Sequence, residues 1–567
     1  MTGRHASGGA QVGLTGSTGS AVAAAPTTAP GPGAELPAEP ASVTGPGVTE
    51  PAVTEPAVTQ PAVTQPAVPE PRPAADDGSA LNPATTDAVS AKRLAAATRW
   101  MVAGRLVTQA SRLLVSVVLA RLLSPEAFGV VAVAMTTIVA LEVVKDLGTG
   151  AAVIQRPTVD QRLLSSVFYL NIVGGLVAAG LMVAGAPLIA DFFDVPASAP
   201  VVRAFALVIA IGGLTQVHHA MLRRSMRFNA VASVEMAAAL TTGVLSIGLA
   251  LGGLGVWSMV WGNVAGAAAG SLMAWLRSGW KPSRMFGFGP LREIAGFSAH
   301  TAGYNVTTFL LQNTDKLLVG RWLGTAPLGV YSLAQRTISY PLESISRVLM
   351  TVLFPAFARA QDDDDLLRKG YTRAAGAVAF VTLPVMVGAA AVSEPLVRTV
   401  LGRHWEDLIP LMWFMAPAGA LGALLSCVNT LYSAKGRADW MFRWGLASGA
   451  FTLGGFAVGL QWGLQGLAIA YLAVNVIQVP VGYALVLRLI DMPLSAMARA
   501  LAPYFAMTAL MAAAAWGTAF GLQEAGVGSA TQLAAGVVAG VVVYGGLTLW
   551  WRPAAFKDVL TLIRHRG

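Results

Sequence analysis

From Trp100 to its C-terminus the chain alternates between long apolar runs and short polar interruptions. A run of about 18 or more apolar residues reads as a membrane-spanning helix. Helix is required there because lipid offers no partners to exposed backbone groups. Fourteen such runs are present: 100–122, 127–144, 164–189, 201–221, 230–251, 256–276, 294–319, 328–354, 374–391, 408–432, 444–460, 464–487, 500–520 and 531–550. The expected fold class is an all-α integral membrane protein of about 14 transmembrane helices.

Residues 1–91 break the pattern. They are rich in Ala, Pro, Thr and Gly, and carry a five-residue repeat, VTEPA, VTEPA, VTQPA, VTQPA, starting at Val48. Such a segment cannot bury enough apolar surface to offset its ordering entropy. It reads as a disordered, partly polyproline-II cytoplasmic tail, dispensable or else a docking arm for a partner. No apolar core with a small-residue cleavage site precedes the first span, so that span is expected to direct insertion itself.

Composition sharpens the class. The chain is 55% hydrophobic and 12% charged, against roughly 25% charged residues in soluble proteins. Its single cysteine, Cys427, excludes a disulfide framework or a cysteine metal cluster. The net charge of +9 divides into −6 over residues 1–91, from two Arg against eight Asp and Glu, and +15 over the rest. In a soluble protein that excess would suggest nucleic acid as a partner. Here the basic residues occupy short loops, and topology explains them better. With both termini cytoplasmic, the inner loops and ends hold 26 Lys and Arg, and the outer loops hold only Arg121, Arg203, Arg321, Arg398 and Arg403. One miscounted span would invert every later loop, so the charge pattern supports the count.

An internal repeat is also legible. LARLLSPEAFGVVAVA from Leu119 aligns with VGRWLGTAPLGVYSLA from Val319 at an offset of 200, matching Arg121 with Arg321, Gly129 with Gly329, and Thr108 with Thr308 further back. An even number of spans, six, lies between the copies, so the halves share one orientation. Parallel repeats imply two lobes related by an axis along the membrane normal, with the substrate site between them. The expected divisions are the tail at 1–91, an N-lobe at 92–290, a C-lobe at 291–490, and two further helices with a cytoplasmic C-terminus at 491–567.

Soluble-enzyme constellations are missing from the sequence. There is no Walker motif, and no cofactor or metal is expected. DLGTGA at Asp146–Ala151 lacks the Lys-Ser/Thr of a phosphate loop and reads as a helix-end turn. His218 and His219 are adjacent and so point to different helix faces, which disfavours a metal site. Asp362 to Asp365 read as a solvated loop.

Charges inside spans are the informative residues, because each costs about 2.5–3.5 kcal/mol at the bilayer centre unless a cavity or partner receives it. In the first span Arg105, Thr108 or Gln109, Arg112 and Ser116 fall on one helix face. The equivalent face of the seventh span carries Asn305, Thr308, Gln312 and Lys316, with Asp315 adjacent. The eighth adds Arg336, Glu343 and Arg347; the second adds Glu142 and the fifth Glu235. Arg105, Arg112, Asn305, Gln312, Lys316, Arg336 and Arg347 are the candidate cavity residues. Glu142, Glu235, Asp315 and Glu343 are the candidate ion carriers. Internal ion pairing is the competing reading for Asp315 with Lys316 and for Glu343 with Arg347. It is weaker for Arg105 and Arg112, whose span holds no acid. An Arg facing a cavity without a partner suits a bidentate phosphate or carboxylate ligand.

The run QNTDKLLVGRWLGTAPLGVYSLAQR from Gln312, followed by LFPAFARAQDD from Leu353, resembles the polysaccharide-transporter (Wzx-like) flippases of the multidrug/oligosaccharidyl-lipid/polysaccharide superfamily. SPEAFGVVAVA from Ser124 and DLGTGAAVIQRP from Asp146 are similar to its first-half motifs, and the resemblance covers roughly residues 95–490. It implies a two-lobed alternating-access transporter, not an enzyme, in the bacterial inner membrane. The implied cargo is an undecaprenyl-diphosphate-linked oligosaccharide for exopolysaccharide or lipopolysaccharide synthesis. Membrane lipid, a glycan polymerase and export proteins are the implied partners; nucleic acid is not. The alternatives are a lipid II flippase, a multidrug/cation antiporter of the same superfamily, and a non-transporting scaffold. A cationic cargo calls for an acidic cavity, whereas the five intramembrane bases outnumber the four acids. The motifs name neither the glycan nor the coupling ion.

Overall fold

A computed structural model of the protein describes residues 108–146, 149–156, 159–289, 305–306, 309–310, 312–339, 363–554 and 556. The expectations for the tail at 1–91 and for Arg105, Thr308, Glu343 and Arg347 lie outside these residues.

The described elements are helical, with no strand among the described residues. In chain order they are α1 (108–122), α2 (Pro125–Asp146), α3 (Thr149–Gln155), α4 (Gln161–Phe192), α5 (Ser198–Arg224), α6 (Phe228–Leu251) and α7 (Val256–Ser278). Then follow α8 (312–322), α9 (325–339), α10 (Asp364–Ala391), α11 (Leu408–Ala434), α12 (Ala438–Gly459), α13 (Gly463–Leu487), α14 (Leu494–Glu524) and α15 (Ser529–Trp551). Among the described residues nine stretches are helical, long and apolar enough to cross a membrane, and one of them, Ala438–Ile490, holds α12 and α13 in succession. The chain is a multi-pass helical membrane protein.

The helices overrun their apolar runs. The run 164–189 sits within α4, whose first turn is capped by Asp160 accepting from the Leu163 N–H at 2.9 Å. Apolarity marks only what lies in hydrocarbon, whereas backbone hydrogen bonding continues until a cap ends it. The same logic corrects the reading of Asp362 to Asp365 as a loop for the three described residues, which open a helix while Asp363 and Asp365 stay exposed; Asp362 lies outside the described residues. Asp363 caps α10 by accepting from the Leu366 N–H at 2.9 Å, and Asp364 and Asp365 form its first turn. Acids are favoured there by the helix dipole, and Asp364 is bound by Lys435 at 2.7 Å and Asp365 by Arg368 at 2.8 Å. Lys145, counted as a loop residue, is buried in the last turn of α2, 3.9 Å from Glu142.

Helix packing follows the same scheme in both halves. In the first, α4 packs on α5, α5 on α7 and α6 on α7; in the second, α10 packs on α11, α11 on α13 and α12 on α13. Small residues permit the closest approaches: Gly262 lies against Ser246, Gly266 against Thr242 and Gly270 against Ala238, drawing α6 and α7 together. A continuous apolar core runs from Leu119 and Phe128 through Phe205, Tyr331 and Trp405 to Tyr483.

Hydrogen bonds between loops define two ends. At one, Gln161 reaches the Lys281 carbonyl, Arg224 the Val153 carbonyl and Arg368 the Ile490 carbonyl. The loops rich in Lys and Arg gather here, at what we call the basic end. At the opposite end Arg121 meets Val400, and Gln523 meets Glu394.

Candidate functional site

A cavity of about 330 Å³ opens between α1, α2, α6, α7 and α9. Its polar wall comprises Arg112 and Ser116 from α1, Thr242 and Ser246 from α6, Asn263 from α7 and Arg336 from α9. Arg112 lies ten residues before the end of α1, and Arg336 eleven residues after the start of α9. At 1.5 Å per residue each sits roughly 15 Å inside the opposite end, near the middle of a hydrocarbon core about 30 Å thick. Among the described residues neither guanidinium has a hydrogen-bond or ion-pair partner. The Ser116 and Ser246 hydroxyls are buried and also unpartnered. Asn263 satisfies its amide on the Met259 carbonyl at 2.7 Å. Two cations and two hydroxyls without partners among the described residues, at a depth where each is costly, have the chemistry that complements an anionic, hydroxyl-bearing group.

The remaining candidates fall elsewhere. Asn305 is half-buried and Gln312 is exposed; neither lines this cavity. The Lys316 ammonium donates to the Asn313 side-chain oxygen at 3.1 Å. Asp315 does not pair with the neighbouring Lys316 side chain. It is buried and accepts from the Tyr331 hydroxyl at 2.6 Å and the Gln335 amide at 3.1 Å. Successive residues on a helix point about 100° apart, so adjacency in sequence did not make a pair. Glu142 is exposed beside Lys145, and Glu235 is half-buried on α6. Among the described residues, α1 meets α9 across this cavity, and Lys316 of α8 does not line it. Thr242, Ser246 and Asn263 went unremarked in the sequence. The four-residue spacing of Thr242 and Ser246 within an apolar run was the available signal.

At the opposite end the two halves meet in a seam. Gly129 of α2 abuts the Thr325 carbonyl, and Gly329 of α9 abuts the Pro125 carbonyl. These four residues are two pairs at the 200-residue offset of the repeat. Arg121, at the end of α1, donates to the Thr399 carbonyl and, at 2.7 Å, to the Val400 carbonyl. Arg321, its repeat equivalent, lies 5.9 Å over the Phe192 ring at the end of α4. The Trp405 indole donates to the Ala120 carbonyl at 2.7 Å and meets Phe128 edge-on at 5.0 Å. Residues equivalent in the two sequence repeats are therefore in close contact at this end.

Among the described residues, a multi-pass helical bundle encloses a polar cavity that carries two arginines at mid-helix depth. The model of the family described as "Polysaccharide biosynthesis protein" matches residues 118–410. The chain belongs to that family. It is 28% identical over 409 residues to the teichuronic acid biosynthesis protein TuaB of Bacillus subtilis, covering 71% of this chain and 84% of TuaB. It is 26% identical to the succinoglycan biosynthesis transport protein ExoT of Rhizobium meliloti, covering 85% of this chain and 98% of ExoT. In fold it resembles the lipid II flippase MurJ in an inward closed conformation, with a TM-score of 0.63 at 13% identity over 80% of this chain and 98% of that one. An inward-facing multidrug transporter of the MATE family aligns with a TM-score of 0.53 at 16% identity, over 70% and 99% of the two chains.

Proposed function

We propose that this protein is a flippase that carries an undecaprenyl-diphosphate-linked, anionic oligosaccharide from the cytoplasmic to the outer leaflet of a bacterial inner membrane by alternating access. The observation that carries the reading is the pair Arg112 and Arg336, which face one mid-membrane cavity with no protein partner among the described residues. A diphosphate and its sugar hydroxyls cannot cross hydrocarbon unaided, since each unsatisfied polar group costs several kcal/mol. Guanidinium groups supply the bidentate donors that phosphates and acidic sugars require. Arg105, Arg347, Asn305, Gln312 and Lys316 complete the proposed polar path.

Two six-span lobes of parallel orientation, at 92–290 and 291–490, are supported by the repeated packing scheme and by the reciprocal glycine contacts at the seam. The basic end is then cytoplasmic by the positive-inside rule, and the end with the seam is outer. Both termini face the cytoplasm in a fourteen-span topology. Glu142, Glu235, Asp315 and Glu343 are the proposed ion-coupling acids, and Asp315 is the buried one among those described.

The test has two parts. In a deletion strain, a lipid-linked anionic oligosaccharide accumulates; accumulation of lipid II or of no glycan intermediate overturns the assigned cargo. In the complemented strain, Arg112→Ala abolishes glycan export at near-normal membrane abundance, and Arg112→Lys restores part of it because charge is kept and bidentate geometry lost. Full export by the Ala variant removes Arg112 from the binding path.

A further inference from the structure

Arg121 and Arg321 are matched by the 200-residue repeat, yet neither lines the cavity of Arg112 and Arg336. Both stand in the outer set, where the positive-inside rule disfavours a basic residue. Each ends the first described helix of its repeat and reaches an element of the other repeat. Arg121, at the end of α1, binds residues 399 and 400, just beyond α10. Arg321, at the end of α8, lies over Phe192, the last residue of α4. The two receptors are equivalent as well, because the offset carries Phe192 to Val392, which ends α10.

The two contacts differ in strength. Val397–Leu401 is one turn of π-helix, closed by the Gly402 N–H donating to the Val397 carbonyl at 2.9 Å. It stops at Gly402, whose φ of 99° suits a residue without a Cβ. The last carbonyls of a helix have no intrahelical partner. The Arg121 guanidinium takes two of them, those of Thr399 and Val400. Trp405 returns the contact: its indole donates at 2.7 Å to the Ala120 carbonyl, near the end of α1. Each side thus satisfies helix-end carbonyls of the other, and the Trp405 ring is fully buried beside Phe128. Arg321 has only the Phe192 ring, 5.9 Å away and exposed, at the limit of about 6 Å for a cation–π contact.

We propose that Arg121, Trp405 and the π-turn at Val397–Leu401 form a latch that holds the outer ends of the two lobes together, with Arg321 on Phe192 as its weaker counterpart. The proposal rests on the alternating-access reading above, in which the outer ends part to release cargo. Arg121 follows Arg112 by nine residues on α1, so the helix that bears a cargo-binding arginine cannot leave the second lobe until the latch opens. Arg121 is exposed, and water can replace its bonds as they break, which keeps the latch reversible. Opening starts on the Arg321 side and ends on the Arg121 side.

The experiment uses the full-length protein in liposomes, with spin labels at Ala197→Cys and Asp407→Cys. These residues are exposed, lie at the outer ends of the two lobes and take no part in the latch. Cys427 is buried and stays in place. Double electron–electron resonance reads the distance between the labels. Arg121→Ala is expected to raise the long-distance fraction by about threefold or more over the parent. Trp405→Phe, which keeps a ring against Phe128 and loses the indole donor, is expected to shift it in the same direction. Arg121→Lys is expected to fall between Arg121→Ala and the parent, because it keeps the charge and loses the fork. Arg321→Ala is expected to shift the fraction less, and Arg203→Ala, an exposed outer arginine outside the latch, not at all. Thermal unfolding checks that each variant folds. An unchanged distribution in both Arg121→Ala and Trp405→Phe overturns the proposal. An equal shift from Arg203→Ala also overturns it, assigning the effect to outer charge, and a larger shift from Arg321→Ala overturns the order of opening. No cargo enters this measurement, so a failed latch leaves the flippase reading to the deletion strain, and failure there leaves the distances standing.

Discussion

Arg112 and Arg336 come from helices more than 200 residues apart in sequence, yet they line one cavity. Each bears the cost of a charge held at mid-membrane depth, about 2.5–3.5 kcal/mol on the insertion scale. That cost is tolerable only if the cavity admits water or ligand. If both hold one anionic head group, they act as a unit, and their losses are not additive. Export by Arg112→Lys/Arg336→Lys, built from variants that keep part of their activity, is therefore expected to be no lower than that of the worse single Lys variant, measured as glycan exported per unit of membrane protein. Multiplicative losses would assign the two residues to separate steps. Asp315 shows the opposite treatment of a charge: Tyr331 and Gln335 satisfy it within the protein, four residues apart on α9.

Among the helices, α2 and α9 matter most to the seam. Their contact is backbone against backbone, because a Cβ at Gly129 would meet the Thr325 carbonyl and one at Gly329 the Pro125 carbonyl. Neither neighbour is a flexible side chain, so a single methyl must push the helices apart, at a cost of about 1–3 kcal/mol for overpacking. Gly129→Ala is expected to reduce export at least tenfold while membrane abundance stays near normal. Gly185→Ala is the control: its added Cβ meets nothing within 4 Å, and export should be unchanged. Equal export by the two variants would show that the seam does not limit the cycle.

For the whole molecule, the charge pattern makes the firmest commitment. Reporter fusions after Leu251 and Phe520 are expected to report outside, and fusions after Arg284 and Arg443 inside. An outside signal at Arg284 would break the fourteen-span parity. The N-terminal repeat segment holds none of the candidate cavity residues, and its composition opposes a packed fold. Deleting residues 2–90 is expected to leave glycan export intact at normal membrane abundance; loss of export would give the segment a role in the cycle or in recruiting a partner.

Much of this protein was written in one dimension. Apolar run lengths gave the multi-pass helical class, because a bilayer core sets a minimum span whatever the helices pack against. The offset between Gly129 and Gly329 marked residues that the fold places at one seam. Arg112 and Arg336 stood out because an intramembrane charge is rare and costly wherever it occurs. What the pattern could not supply was pairing. The seventh span's polar face carries the same residue types as the first, yet Lys316 turns to Asn313 while Arg336 shares the cavity with Arg112. Of the four consecutive Asp that read as a loop, the three described ones open a helix, where its N-terminus, Lys435 and Arg368 engage them while Asp363 and Asp365 stay exposed. Thr242, Ser246 and Asn263 became cavity wall only through the packing of α6 on α7. Solvent preference is a property of each residue and survives in the sequence. Partner choice depends on helix rotation and on which neighbours approach, and those are decided only when the whole bundle packs.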